Sequence, residues 1–238
     1  GAGTQTATLG FAGYAPGPSN ATEKYDGSAW TTSGNLGTAR YSVGSFGTQT
    51  AAVCAGGGLN PGSSNATEEF NGSTWSPSGN LNTARRGSAV SNAVGIESAG
   101  LVFGGFATTV FTGVTESYDG STWTTLPATM GTARGNHGSA GTQTAALGFG
   151  GYISAPTAIT NLTEEYNGSA WTAGGNLNTA RRSNVGIGTQ TAALISGGQT
   201  PPDTTAVEEY NGTSWTTITS IALARNQMGS GGNSTLGV

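Results

Sequence analysis

Five tryptophans, Trp30, Trp75, Trp123, Trp171 and Trp215, recur along the chain at intervals of 45, 48, 48 and 44 residues. Each stands seven residues after a glutamate: Glu23, Glu68, Glu116, Glu164 and Glu208. A self-similar unit of this length cannot bury its apolar face alone. It does so by stacking on its neighbours, as in a solenoid, a propeller or an array.

The phrase between glutamate and tryptophan has a fixed grammar. An aromatic follows two places after each glutamate (Tyr25, Phe70, Tyr118, Tyr166, Tyr210), then Asp-Gly or Asn-Gly (Asp26-Gly27, Asn71-Gly72, Asp119-Gly120, Asn167-Gly168, Asn211-Gly212). These pairs predict tight two-residue hairpin turns with left-handed backbone at both central positions. Glutamate and aromatic then share one face of a strand, and the tryptophan lies on its hairpin partner. Upstream, short apolar stretches such as Ala51 to Val53 and Ala192 to Ile195 close on Gly-Gly (Gly56-Gly57, Gly104-Gly105, Gly150-Gly151, Gly197-Gly198) and predict buried strands. Thr-Gln-Thr at 4–6, 48–50, 142–144 and 189–191 predicts a second turn before them.

Each unit therefore holds four short antiparallel strands. Five units predict an all-β chain, a five-bladed propeller in a single domain over 1–238, with innermost strands rich in small residues at the crowded axis. The blades are expected at roughly 1–39 plus 226–232, 40–84, 85–133, 134–180 and 181–225. The first unit offers only Gly1-Ala2-Gly3 for its innermost strand, whereas Asn-Gln-Met-Gly-Ser-Gly-Gly after Arg225 matches the segment after Arg182. The C-terminal strand is thus expected to close the ring, since closure removes sheet edges, leaving residues 233–238 as a tail or a plug into a neighbour.

Composition narrows the function classes. Only 8% of residues are charged, net charge is −4, and 42 are glycine. Eight lysines and arginines are too few and too scattered for phosphate neutralisation, so no nucleic acid is expected. No apolar run approaches the roughly 18–20 residues needed to span a bilayer, so no membrane insertion is expected. No cluster with metal-ligand spacing occurs, and neither metal nor cofactor is expected.

The unit-opening arginines Arg40, Arg85, Arg134, Arg181 and Arg225 and the five unit glutamates are expected to be structural, satisfying backbone carbonyls or pairing across blades. The tryptophans are expected between blades. His137, the only histidine, is placed near the axis, and Cys54, the only cysteine, in a buried strand. Asn-x-Ser/Thr triplets at Asn20, Asn65, Asn161 and Asn211 are a product of composition rather than glycosylation sites.

Gly-Gly after an apolar strand, then an aromatic, then Trp, with Arg opening the next unit, resembles kelch repeats over essentially the whole chain. The dialect, with its G-T-Q-T-A-A-L-x-F-G-G and E-E-Y-N-G-S-x-W-T phrases, is most similar to kelch-like propellers encoded by bacteriophages of aquatic bacteria. The resemblance implies a virion component at the particle surface, a tail fibre, host-recognition or capsid-decoration module. Its partners would be other virion proteins and a host-surface glycan or protein.

Recognition is expected where the units diverge, on the loops between the Gly-Gly and the glutamate. Tyr14, Leu59, Phe106, Phe111, Tyr152, Ile153 and Ile159 are the candidate ligand-binding residues there. Two alternatives stand beside a non-catalytic module. One is a sugar-active, carbohydrate-epimerising enzyme using His137, Asn136 and the arginines. The other is a protein-interaction adaptor.

Overall fold

The computed structural model describes residues 1–87, 93–154 and 157–227. It is a five-bladed β-propeller without helices among those residues. Blade 1 comprises β1 (Ala2–Thr4), β2 (Ala7–Phe11), β3 (Thr22–Tyr25) and β4 (Trp30–Thr32), and blade 2 comprises β5 (Gly44–Gly47), β6 (Ala52–Ala55), β7 (Thr67–Phe70) and β8 (Trp75–Ser78). Blade 3 begins with β9 (Ala93–Ile96) and β10 (Ala99–Phe103), inserts a hairpin of β11 (Phe106–Ala107) and β12 (Val110–Phe111), and ends with β13 (Val114–Tyr118) and β14 (Trp123–Thr129). Blade 4 repeats this plan: β15 (Gly138–Gly141), β16 (Ala146–Phe149), an inserted hairpin of β17 (Tyr152–Ser154) and β18 (Thr157–Ile159), then β19 (Thr163–Tyr166) and β20 (Trp171–Ala173). Blade 5 holds β21 (Val185–Thr189), β22 (Ala192–Ser196), β23 (Val207–Tyr210) and β24 (Trp215–Ile218). Every blade is an antiparallel four-stranded meander.

The outer hairpins depart from the two-residue turn that Asp-Gly and Asn-Gly predict. Tyr25 pairs with Trp30, so the loop has four residues. Asp26 Oδ1 accepts from the Ser28 and Ala29 amides at 2.8 Å each, while the Asp26 amide donates to the Ala29 carbonyl at 3.2 Å. Only Gly27 is left-handed, at φ +97°. The side-chain oxygen replaces a backbone acceptor and stabilises the longer loop. Asn71, Asp119, Asn167 and Asn211 repeat the arrangement.

The core consists of four slabs, one in each joint between consecutive blades. Leu9, Phe11, Leu36 and Phe70 pack between blades 1 and 2, and Phe46, Leu81, Tyr118 and Trp123 between blades 2 and 3. Leu101, Phe103, Met130 and Tyr166 fill the third joint, and Leu147, Phe149, Leu177 and Trp215 the fourth. Trp75, Trp123, Trp171 and Trp215 each pack against the preceding blade, with Phe103 to Trp171 at 4.7 Å and Phe149 to Trp215 at 4.9 Å between centroids. Each indole N–H finds a threonine there: Trp75 donates to Thr22, Trp123 to Thr67, Trp171 to Thr115 and Trp215 to Thr163, each at 2.9 Å. A buried indole needs such an acceptor.

Two further devices recur. Gln49, Gln143 and Gln190 reach from their turns to two carbonyls each of the preceding blade, those of Thr8 and Tyr25, Gly100 and Tyr118, and Ala146 and Tyr166. Asn20, Asn65 and Asn161 donate to the carbonyls of Leu36, Leu81 and Leu177, which gives these triplet asparagines a structural part. At the axis a backbone ladder passes from blade to blade. The Gly87 amide donates to Ser42, Asn136 to Gly87, Ser183 to Asn136 and Gln227 to Ser183, at 2.8–3.0 Å.

Arg40, Arg85, Arg134 and Arg181 are buried within their own units. Arg40 donates to the Gly56 and Ala66 carbonyls at 2.8 and 2.5 Å and pairs with Glu68 at 2.7 Å. Arg85 pairs with Glu116 at 2.5 Å, Arg134 with Glu164 at 2.8 Å, and Arg181 with Glu208. The second glutamate oxygen accepts amides from the incoming connection, as Glu68 does from Gly37 at 2.6 Å. Burial lowers the pKa of Arg85, Arg134 and Arg181, and the paired carboxylate opposes that shift.

The joint between blades 5 and 1 differs. Trp30 is 52% exposed, so it is not an inter-blade core residue, and Glu23, Arg225 and Gln5 are exposed as well. Val207 stands where the other blades carry the threonine that accepts the indole. The innermost strand of blade 1 is Ala2–Thr4 from the N-terminus, paired with β2. Residues 228–232 of the expected closing strand, and the expected tail 233–238, lie outside the described residues.

Candidate binding face

Where the loops of blades 1, 2 and 5 are closed by single bridges, Tyr14 to Pro18, Gly58 to Ser63 and Gln199 to Asp203, blades 3 and 4 carry two-stranded inserted hairpins. Both arise from the divergent segment after Gly-Gly, where the chain turns sharply. Gly104 and Gly105 are left-handed, at φ +64° and +93°, and a Cβ on Gly104 would lie 2.6 Å from His137. Glycine relieves both the backbone strain and the crowding at Gly104. The hairpins then emerge side by side.

Their aromatic side chains meet. Phe106 faces Phe111 edge-on at 5.4 Å between centroids, and Phe111 faces Tyr152 at 5.9 Å. All three rings are half-buried. Ile159 pairs with Tyr152 across β17 and β18, and Ile153 is the next residue of β17; both are half-buried. Five of the seven candidate residues thus fall on two neighbouring hairpins.

Tyr14 and Leu59 lie elsewhere on the rim. Tyr14 is 58% exposed and rests edge-on against Tyr41 at 5.1 Å. Leu59 is half-buried at a loop closed by its amide on the Gly62 carbonyl at 2.9 Å. No ring contact joins either residue to the Phe106–Phe111–Tyr152 cluster among the described residues. Tyr14 also borders a cleft of about 430 Å³ on blade 1, lined by Phe11, Ser19, Glu23 and Trp30.

Two residues of this face escape a reading of the loops alone. Arg86 lies over the Phe106 ring at 4.8 Å and Arg182 over the Tyr152 ring at 4.9 Å. Each directly follows a lattice arginine and bridges to the divergent loop, Arg86 to Phe106 and Arg182 to Gln199. The signal was available: positions 41, 86, 135, 182 and 226 hold Tyr, Arg, Gly, Arg and Asn beside an unvarying arginine.

His137 is fully buried. Its ring stacks on Phe103 at 5.3 Å and 17°, and its nitrogens lie 3.1 and 3.2 Å from the Gly138 and Phe103 carbonyls. Burial, and then the charge of Arg134, lower its pKa to about 4. At neutral pH the ring is uncharged, and one nitrogen donates. Among the described residues no three His, Cys, Asp or Glu side chains converge as a metal site would require. No protein-family model matches the chain, and no curated protein matches its sequence.

Proposed function

We propose that the chain is a non-catalytic recognition module of kelch-like type, carried on the surface of a phage particle, that engages a host-surface glycan or protein through the rim of blades 3 and 4. One observation carries the reading: Phe106, Phe111 and Tyr152 form a continuous, partly exposed aromatic cluster on the two-stranded hairpins of blades 3 and 4. The lattice residues are used up in joining strands and blades, so divergence of this kind is where a repeat scaffold places recognition. Rigid aromatics with threonines around them suit a ligand that presents ring faces and hydroxyls. The virion setting rests on the resemblance of the repeat phrases.

The enzyme alternative leans on His137, whose ring is sealed between blades and out of reach of a substrate. The test is binding of the purified protein to host cells and to a glycan array. Phe111→Ala and Tyr152→Ala should each weaken binding at least about tenfold without changing thermal stability. Absence of binding to any cell or glycan, or full binding by both variants, overturns the proposal.

A further inference from the structure

The aromatic cluster is flanked by positive charge. Arg86, Phe106, Phe111, Tyr152 and Arg182 form one chain of contacts, with separations of 4.8, 5.4, 5.9 and 4.9 Å. The protein carries twelve acids against eight lysines and arginines, and four of those arginines are committed to buried pairs. Arg86 and Arg182 are two of the four remaining cations, and both lie on this strip. Neither pairs with a carboxylate among the described residues. Arg86 Nη1 donates to the Gly62 carbonyl at 3.3 Å, and Arg182 Nε to Gln199 Oε1 at 2.8 Å. Asp203, in the same loop as Gln199, is held by Asn226 at 2.6 Å instead.

An acidic chain that keeps two half-buried guanidiniums free of carboxylates, at the two ends of one aromatic platform, presents a local positive field in a negative molecule. Each guanidinium is held over an aromatic ring, and among the described residues Arg86 spends only one N–H group on Gly62 and Arg182 only one on Gln199, so donors remain for an incoming carboxylate. The rings between them offer flat apolar faces of the kind that sugar C–H groups cover.

We propose that this strip binds a carboxylate-bearing glycan, with sugar rings over Phe106, Phe111 and Tyr152 and acid groups on Arg86 and Arg182. The proposal rests on the recognition reading above and specifies its ligand class. An acidic peptide would offer the carboxylates without the ring faces.

The test is calorimetric titration with an oligogalacturonate, its methyl ester and a poly-glutamate of matched charge. The oligogalacturonate should bind, with affinity falling as salt is raised. The neutral ester should bind at least about tenfold more weakly, and Arg86→Ala or Arg182→Ala should each cost a similar factor. Arg86→Lys should recover part of the loss, and thermal melting of all variants should match the parent. Equal binding of acid and ester, or unchanged binding by both alanine variants, overturns the acid assignment while the recognition reading stands. Tighter binding of poly-glutamate overturns the glycan assignment. No binding of the oligogalacturonate, with host cells still bound, overturns this proposal alone; loss of cell binding as well overturns both.

Discussion

Arg225 and Glu23 occupy the places that Arg181 and Glu208 fill in blade 5, yet both are exposed. The backbone around Arg225 is in register: the Gly198 amide donates to its carbonyl at 2.9 Å, as Gly151 donates to that of Arg181 at 2.8 Å. Gln227 likewise takes its place on the axial ladder. What is missing is the trio of side-chain links that fastens the other joints. Among the described residues Arg225 pairs with no carboxylate, Trp30 is 52% exposed, and Gln5 is exposed.

Arginine truncation should separate the two kinds of position. Arg181→Ala strands the buried Glu208 carboxylate and should cost about 3–5 kcal/mol in urea unfolding. Arg225→Ala removes an exposed side chain and should change stability by less than about 0.5 kcal/mol. Comparable losses would show that the blade 5–blade 1 joint is closed in solution.

The indole acceptors make a second contrast. Thr163→Val leaves the buried Trp215 N–H without a partner and should cost about 1–3 kcal/mol. Val207→Thr supplies the hydroxyl absent from the fifth joint and should be neutral while Trp30 stays exposed. A stabilisation of about 1 kcal/mol, with Trp30 shielded from acrylamide quenching, would instead reveal a closed joint.

Much of this was legible in the sequence. The tryptophan interval and the glutamate phrase locate every blade, because each is tied to the burial of one joint. The turn length was not legible: Asp-Gly and Asn-Gly suit a two-residue turn, and only the bonds from Asp26 Oδ1 to Ser28 and Ala29 select four residues. Trp30 misleads because its phrase matches the other four units, yet its ring is 52% exposed. Arg86 and Arg182 went unmarked because adjacency to a lattice arginine hid them, although the five units disagree at that place. Asn20, Asn65 and Asn161 looked like composition, since their partners are carbonyls sixteen residues away.

Acid should loosen the fold through His137. Its pKa lies near 4 in the folded protein against 6.5 in an open chain. Above pH 6.5 both states are neutral, and the group has no effect. Between 6.5 and 4 the unfolded chain gains a proton that the folded one refuses, so stability falls through that window and levels below it. The loss is on the order of 3 kcal/mol. His137→Asn should flatten this part of the pH profile of melting, since blade 5 already holds a fully buried Asn184 at the corresponding place. An unchanged profile would refute the assignment.

Cys54 should resist alkylation. It is fully buried in β6, and burial raises its thiol pKa to about 11. Iodoacetamide at pH 8 should label it only after denaturant is added, because the thiolate is the reactive form. Rapid labelling of the native protein would show that the joint between blades 1 and 2 breathes.

The axial ladder gives the assembly a mechanical character. Ser42, Gly87, Asn136, Ser183 and Gln227 are threaded like beads on a drawstring. A blade that tilts must drag its neighbours by their amides or break a bond at the hub. Motion in such a body is shared rather than local, and a pull applied at the hairpins of blades 3 and 4 is carried along the string from Ser42 to Gln227.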